Sequence, residues 1–229
     1  MDDLKYIDIP NANIAYKTLG SGEPLIMCTG YASTMDLWST ELINQLQKNF
    51  TVILFDYRGM GLSKNHSVSF SINTLYDDVN LLMKALNIRR ANVLGWSMGG
   101  FVAQMFAIKH ADSVSKLILY ATNCGDTKTI NPKKEITDIL SNPKSSPLEL
   151  ISTLFPDEWL LSHSEPWKYL PEVNEPMNFN TIKLQYEAVQ DWLKPRGGSM
   201  QHLHKLKIPV LVICGKEDKV VPYENSIIL

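Results

Sequence analysis

The chain has 229 residues, with 22 Lys and Arg against 24 Asp and Glu, a formal net charge of −2, and 45% hydrophobic residues. Mixed charge near neutrality points away from nucleic acid and from an anionic membrane surface as partners. A chain of this length makes one large α/β domain, or a domain with an insertion, and buries roughly 70% of its unfolded surface without staples.

Cys28, Cys124 and Cys214 are odd in number and far apart, and two of them lie in apolar runs. Buried thiols are expected rather than disulfides or metal ligands. The acidic opening Met1-Asp2-Asp3-Leu4-Lys5 has no apolar core and does not read as a signal peptide. No apolar run reaches membrane-spanning length, and a reducing cytoplasm is the expected location.

In chain order, Tyr6–Ile9 and Asn13–Thr18 are short β-type runs parted by Pro10-Asn11, which predicts an antiparallel pair. Pro24–Thr29 is a nearly continuous apolar run, the mark of a strand covered on both faces. Trp38, Leu42 and Leu46 recur every fourth residue and predict a helix over 35–48. Phe50–Phe55 is a second buried strand. Ser71 reads as an N-cap before a stripe of Leu75, Val79, Leu82 and Leu86. Ala91–Trp96 is strand-like, Phe101–His110 helical, and Leu117–Tyr120 a further strand. Strand and helix thus alternate from Pro24 to Thr122, which predicts a mostly parallel, doubly wound sheet. Ligands of such sheets bind beyond the carboxyl ends of the strands, where Thr29, Asp56, Ser97 and Thr122 all lie.

From Asn123 to Ser199 no buried-strand run occurs. Helix-like patches cover Glu135–Leu140, Leu148–Leu154, Glu158–Leu161 and Ile182–Leu193. Aromatics gather there: Phe155, Trp159, Trp167, Tyr169, Phe179, Tyr186 and Trp192. The organisation read from this is a core over 1–122, a helical cap over 123–199 with several aromatics facing a pocket, and a return to the core over 200–229. In the return, Pro209–Cys214 is a fully apolar strand leading to Asp218.

The chemistry concentrates at Gly95-Trp96-Ser97-Met98-Gly99. A strand turning straight into a helix leaves its serine on a sharp bend, and the two glycines remove Cβ atoms that would clash there. The bend exposes the serine oxygen and aims the first helical amides, with their positive dipole end, at whatever sits beside it. This predicts Ser97 as a nucleophile. A serine in a glycine-rich turn is otherwise only structural, and the flanking strand and helix separate the two readings.

Four segments together resemble the α/β-hydrolase fold superfamily, of the capped esterase, lactonase and cofactor-free haloperoxidase type. They are Gly95-Trp96-Ser97-Met98-Gly99-Gly100, Phe55-Asp56-Tyr57-Arg58-Gly59-Met60-Gly61-Leu62-Ser63, Leu25-Ile26-Met27-Cys28-Thr29-Gly30-Tyr31, and Ile208 through Asp218. The resemblance implies that Ser97 attacks, that the backbone N–H groups of Met98 and Tyr31 hold the oxyanion, and that Asp218 orients a histidine. Thr29 stands where the family usually has His. Asp56 and Arg58 are expected to brace a loop, and Asp126 is the position some relatives use for the acid.

The histidine itself is the departure. In the family it follows the acid, whereas His66, His110, His163, His202 and His204 all precede Asp218. The sequence is therefore expected to lack a last strand and helix, to be near-inactive as it stands, and to leave the Val210 strand as an unpaired apolar edge.

The function implied is a serine-nucleophile hydrolase of small-to-medium apolar esters or related acyl substrates, working through an acyl-enzyme. No cofactor, metal, nucleic acid or membrane is expected, and homo-oligomers stay open. Two alternatives stand beside it: a non-catalytic protein of this fold that binds a small ligand or a partner, and a perhydrolase or carbon–carbon hydrolase using the same site.

Overall fold

The computed structural model of the protein describes residues 4–142 and 144–229. Met1–Asp3, part of the acidic opening discussed above, lie outside the described residues. An eight-stranded sheet organises the chain. Its strands are β1 (Lys5–Ile9), β2 (Ala12–Leu19), β3 (Glu23–Cys28), β4 (Phe50–Phe55), β5 (Lys64–Asn65), β6 (Ala91–Trp96), β7 (Val114–Tyr120) and β8 (Val210–Ile213). The order is β1-β2-β4-β3-β6-β7-β8, with β5 pairing the start of β2. β1 and β2 form the antiparallel pair read from the sequence, with Tyr6 opposite Ala15. From β4 to β8 every pairing is parallel.

The core helices are α1 (Thr40–Leu46), α2 (Ile72–Ala85) and α3 (Met98–Lys109). Neighbouring residues of each buried strand serve opposite layers, as the period of two requires. Ile26, Cys28, Ile53 and Phe55 pack with α2 and α3 through Leu75, Val79, Val102 and Phe106. Leu25, Met27, Val52 and Leu54 pack on the other face with Met35, Trp38 and Ile43. Both faces of the central strands are therefore covered, which is why they read as unbroken apolar runs. Ser71 caps α2, and its hydroxyl and that of Thr74 bond each other's backbone N–H in a capping box.

The helix expected over 35–48 is broken. Met35–Leu37 is a single 3₁₀ turn, Trp38 is extended, and α1 starts only at Thr40. The cause is Asp56, whose carboxylate accepts the Met35 N–H at 2.7 Å, and Asp36, which bonds Thr34 and a distant loop. These tertiary bonds hold the first turn away from the helix axis, so the apolar spacing runs on where the helix does not. The two-residue strand β5 has no apolar pattern and was not legible.

Between β7 and β8 lie α4 (Lys134–Ser141), α5 (Pro147–Ser152), α6 (Asp157–Ser162) and α7 (Phe179–Leu193), with 3₁₀ turns at Pro166–Tyr169 and Met200–Lys205; α8 (Glu224–Ile228) follows β8. α7 is anchored in the core, where Trp192 stacks on Phe101 at 4.7 Å and its Nε1 donates to Asn123. β8 is the edge strand, and Leu211, Val210 and Ile213 remain 54%, 41% and 43% exposed. Cys28 and Cys124 are buried and Cys214 half-buried, all as free thiols. Among the described residues no helix is long and apolar enough to cross a membrane.

Candidate active site

Ser97 is the one residue between β6 and α3. Its φ of 54° and ψ of −121° fall in a region that a residue with a Cβ enters only at a cost of about 1–3 kcal/mol. The bend is held from both sides. The Ser97 N–H donates to Tyr120 O at 3.0 Å, and its carbonyl accepts from Gly100 N–H at 2.8 Å and from the Thr122 hydroxyl at 2.7 Å. A Cβ on Gly95 would collide with Gly99 O, and one on Gly99 with the carbonyls of Cys28 and Thr29. The glycines thus let α3 start in contact with the ends of β3 and β6. Gly30 completes this surface, because a Cβ built on it would touch Ser97 Cβ at 3.4 Å. Met98 is the first residue of α3, and Tyr31 follows Gly30 in the chain.

Ser97 opens into a cavity of about 450 Å³, and Asp218 lines the same cavity. Its other walls are largely apolar, with Trp38, Leu42 and Trp96 from the core and Leu154, Phe155 and Leu170 from the helical segment. Among the described residues Asp218 is the one carboxylate that lines it, and no Lys, Arg or His joins it. Its Oδ1 accepts the N–H groups of Val220 and Val221 at 2.9 and 2.8 Å. Burial pushes its carboxyl up from the usual carboxylate range, against the pull of those two amides. A larger hollow of about 740 Å³ beside Ser63–Val68 and the start of α7 holds none of the candidate residues. Another, of about 600 Å³, shares Asp218 but not Ser97.

The remaining sequence candidates distribute as follows. Asp56 is fully buried and accepts the N–H groups of Met35 and Leu62, so it ties two loops. Arg58 makes a two-point ion pair with Asp78 of α2, at 2.7 and 2.5 Å, also buried. Both are braces. Asp126 takes a left-handed turn at φ 64° and accepts the Thr127 N–H, away from the cavity. Thr29 is buried with its hydroxyl unpartnered. Of the seven aromatics in 123–199, Phe155 and Tyr169 line the cavity, Trp192 is core, and Trp159 lies stacked between Phe155 and His163.

No histidine lines the Ser97 cavity. His110 ends α3 and packs on Phe106 and Tyr76. His163 bonds Trp159 O at 2.9 Å, His66 is exposed, and His202 and His204 sit in the Met200–Lys205 turn.

Three side chains that sequence reading passed over also bear on the site. Asp36 accepts the N–H groups of Asn174 and Glu175 at 2.7 and 3.0 Å, Glu175 reaches Asp56, and Gln185 of α7 accepts the Ala32 N–H at 2.9 Å. Each bond spans well over a hundred residues, so no local spacing announces it.

The family model for the alpha/beta hydrolase fold matches residues 23–158. A putative carbamate hydrolase RutD of Serratia proteamaculans is 25% identical over 228 residues, taking in 92% of this chain and 80% of its own length. A putative non-heme chloroperoxidase of Synechocystis sp. is 24% identical, over 97% of this chain and 86% of its own. Among solved structures, a hydrolase from Pseudomonas aeruginosa superposes with a TM-score of 0.78 at 24% identity, covering 99% of this chain and 85% of that one. An enol-lactonase from Burkholderia xenovorans gives 0.78 at 20% identity, over 98% and 86%. Likeness at this identity speaks to the fold, and the family match adds the rest: it runs from β3 through the Ser97 bend to the start of α6, more than half of the sequence, so the chain belongs to the alpha/beta hydrolase fold family.

Proposed function

We propose that this chain is a serine hydrolase that cleaves small-to-medium apolar esters or related acyl compounds through an acyl-enzyme. One observation carries the reading: a serine on a strained strand-to-helix bend opens, together with a carboxylate, into an apolar cavity of about 450 Å³. That volume lies within the usual range for small-molecule sites. Ser97 Oγ attacks the carbonyl carbon while its proton passes to a base. The negative oxygen is met by the Met98 and Tyr31 N–H groups, whose geometry is set before substrate arrives. The alcohol leaves with a proton, and water then releases the acid. The helical segment acts as a cap, and Phe155, Leu154 and Leu170 hold the apolar part of the substrate. Tryptophan and leucine walls with no cation favour neutral acyl groups over anionic ones.

The base is an imidazole in enzymes that use this arrangement. None of the five histidines lines the cavity, so residues 1–229 alone should hydrolyse esters close to background. Added imidazole should raise both turnover and fluorophosphonate labelling, and Ser97→Ala should abolish both. Labelling that survives Ser97→Ala, or none in the parent chain with imidazole present, would sink the assignment.

The histidine-free cavity favours one second reading, a binder of small apolar ligands without chemistry. Saturable binding of a neutral ester that is never turned over, with or without imidazole, would select it. Perhydrolysis and carbon–carbon cleavage would use the same serine and are separated by product analysis.

A further inference from the structure

We propose that Gln185 is a positioning residue: from α7 it holds the Gly30–Ala32 turn so that the Tyr31 amide faces Ser97. It rests on the reading of Ser97 as nucleophile, and four observations point to it.

Ala32 has a φ of 50°, the left-handed region, which alanine occupies only when its surroundings enforce it. The Ala32 N–H is bonded by Gln185 Oε1 at 2.9 Å, from 153 residues further along the chain. Gly30 lies against Ser97, so any drift of this turn alters the spacing between the Tyr31 amide and the serine oxygen. Lastly, Gln185 is fully buried and its Nε2 has no partner. An unmet buried donor is destabilising, and a leucine or methionine there would avoid that cost. The amide side chain is not needed to attach α7, because Trp192 anchors that helix through its stack on Phe101 and its bond to Asn123. What the amide does is fix the turn. Thr29, on the strand side, contributes no bond from its hydroxyl. The helical segment thereby reaches the Gly30–Ala32 turn through one side-chain acceptor.

The test pairs Gln185→Met, which keeps the volume and loses the acceptor, with Gln185→Glu, which keeps the acceptor. Hydrogen exchange read by mass spectrometry should speed up in the peptide covering 29–34 of Gln185→Met, by about tenfold or more. Exchange over 179–193 should stay unchanged. The maximal rate of Ser97 modification by a fluorophosphonate, with imidazole present, should fall about tenfold or more, by analogy with losing one oxyanion donor. Half-saturation should not move, and Gln185→Glu should recover most of the rate. Ala32→Gly offers a route that leaves α7 untouched. By relieving the left-handed strain at position 32 it should leave exchange in 29–34 less sensitive to loss of the Gln185 acceptor. Unchanged exchange in 29–34 of Gln185→Met would overturn the role. So would acceleration spread evenly over α7, since that is the mark of simple destabilisation. If the parent chain is never modified at Ser97, the enzymatic reading falls, while the exchange measurement still decides whether Gln185 holds the turn.

Discussion

At the scale of single residues, buried charge decides more than the nucleophile does. Arg58 and Asp78 are both almost fully buried and meet at two points. Removing one partner leaves the other charge stranded in a medium of low polarity, which typically costs 3–5 kcal/mol, or about that. Asp78→Ala should therefore lower stability by about 3–5 kcal/mol in urea titration, while Lys134→Ala, whose partner Asp138 is exposed with it, should cost under about 1 kcal/mol. Asp218 differs again. Burial raises its carboxyl, and two backbone amides hold it beside the cavity. Asp218→Asn should keep the fold, because the amide oxygen can still accept from Val220 and Val221. Ester turnover with imidazole supplied should fall steeply, roughly 10⁴-fold in the comparable serine-protease case. A loss below about tenfold would move the acid's role elsewhere.

Elements differ in how openly the sequence announces them. β3, β4 and β6 were legible because both faces are covered and their runs are mostly apolar, whereas β7 was read only from Leu117 because Ser115 and Lys116 interrupt its start at Val114. The Ser97 bend was legible because only glycine fits at positions 95 and 99, where backbone carbonyls approach. Trp38 to Leu46 misled because the residues keep helical spacing while Asp56 and Asp36 pull the first turn out of line. Asp36, Glu175 and Gln185 were illegible because their partners lie far along the chain. The edge strand β8 carries its own expectation. It pairs β7 on one side and leaves apolar side chains exposed. Such an edge is a template for another chain. Residues 1–229 should show concentration-dependent association in light scattering, and Leu211→Lys should reduce it. A monodisperse monomer at high concentration would count against this.

For the molecule as a whole, carboxyl groups make part of the join between the helical segment and the core, beside the Trp192 stack and the Gln185 bond. Asp36 grips the backbone of Asn174 and Glu175, and the Glu175 side chain meets Asp56 over Gly61, where a Cβ would strike both carboxyls. Burial, followed by contact with Asp56, pushes Glu175 up to about 8. Asp36 adds to the rise, and Lys17 opposes it. An acid with a raised folded pKa holds its proton more tightly when folded. The stability it lends is full below its unfolded value near 4.5 and is lost as pH rises through about 8. Burial raises Asp56 and Asp218 in the same sense. His110 and His202, lowered mainly by burial, act oppositely, but only as pH falls through 6.5. Between about pH 6.5 and 8, then, the melting temperature should fall, levelling off above that, and Glu175→Gln should flatten the decline. A melting curve independent of pH over this window would contradict it.

The three thiols lie at different depths, and that turns them into clocks for different openings. Cys214 is half-buried at the sheet edge, whereas Cys28 ends β3, the strand in the middle of the sheet, with its thiol pushed up to about 12 by burial. Cys124 sits under the return at Ser199–Met200, whose N–H groups both bond its carbonyl. A thiol reagent added to the folded chain should mark Cys214 first. Cys124 should be marked when the return lifts away, and Cys28 only when the sheet comes apart. Counting added masses against time would then time three separate breathing motions in one untagged sample, with no chromophore introduced.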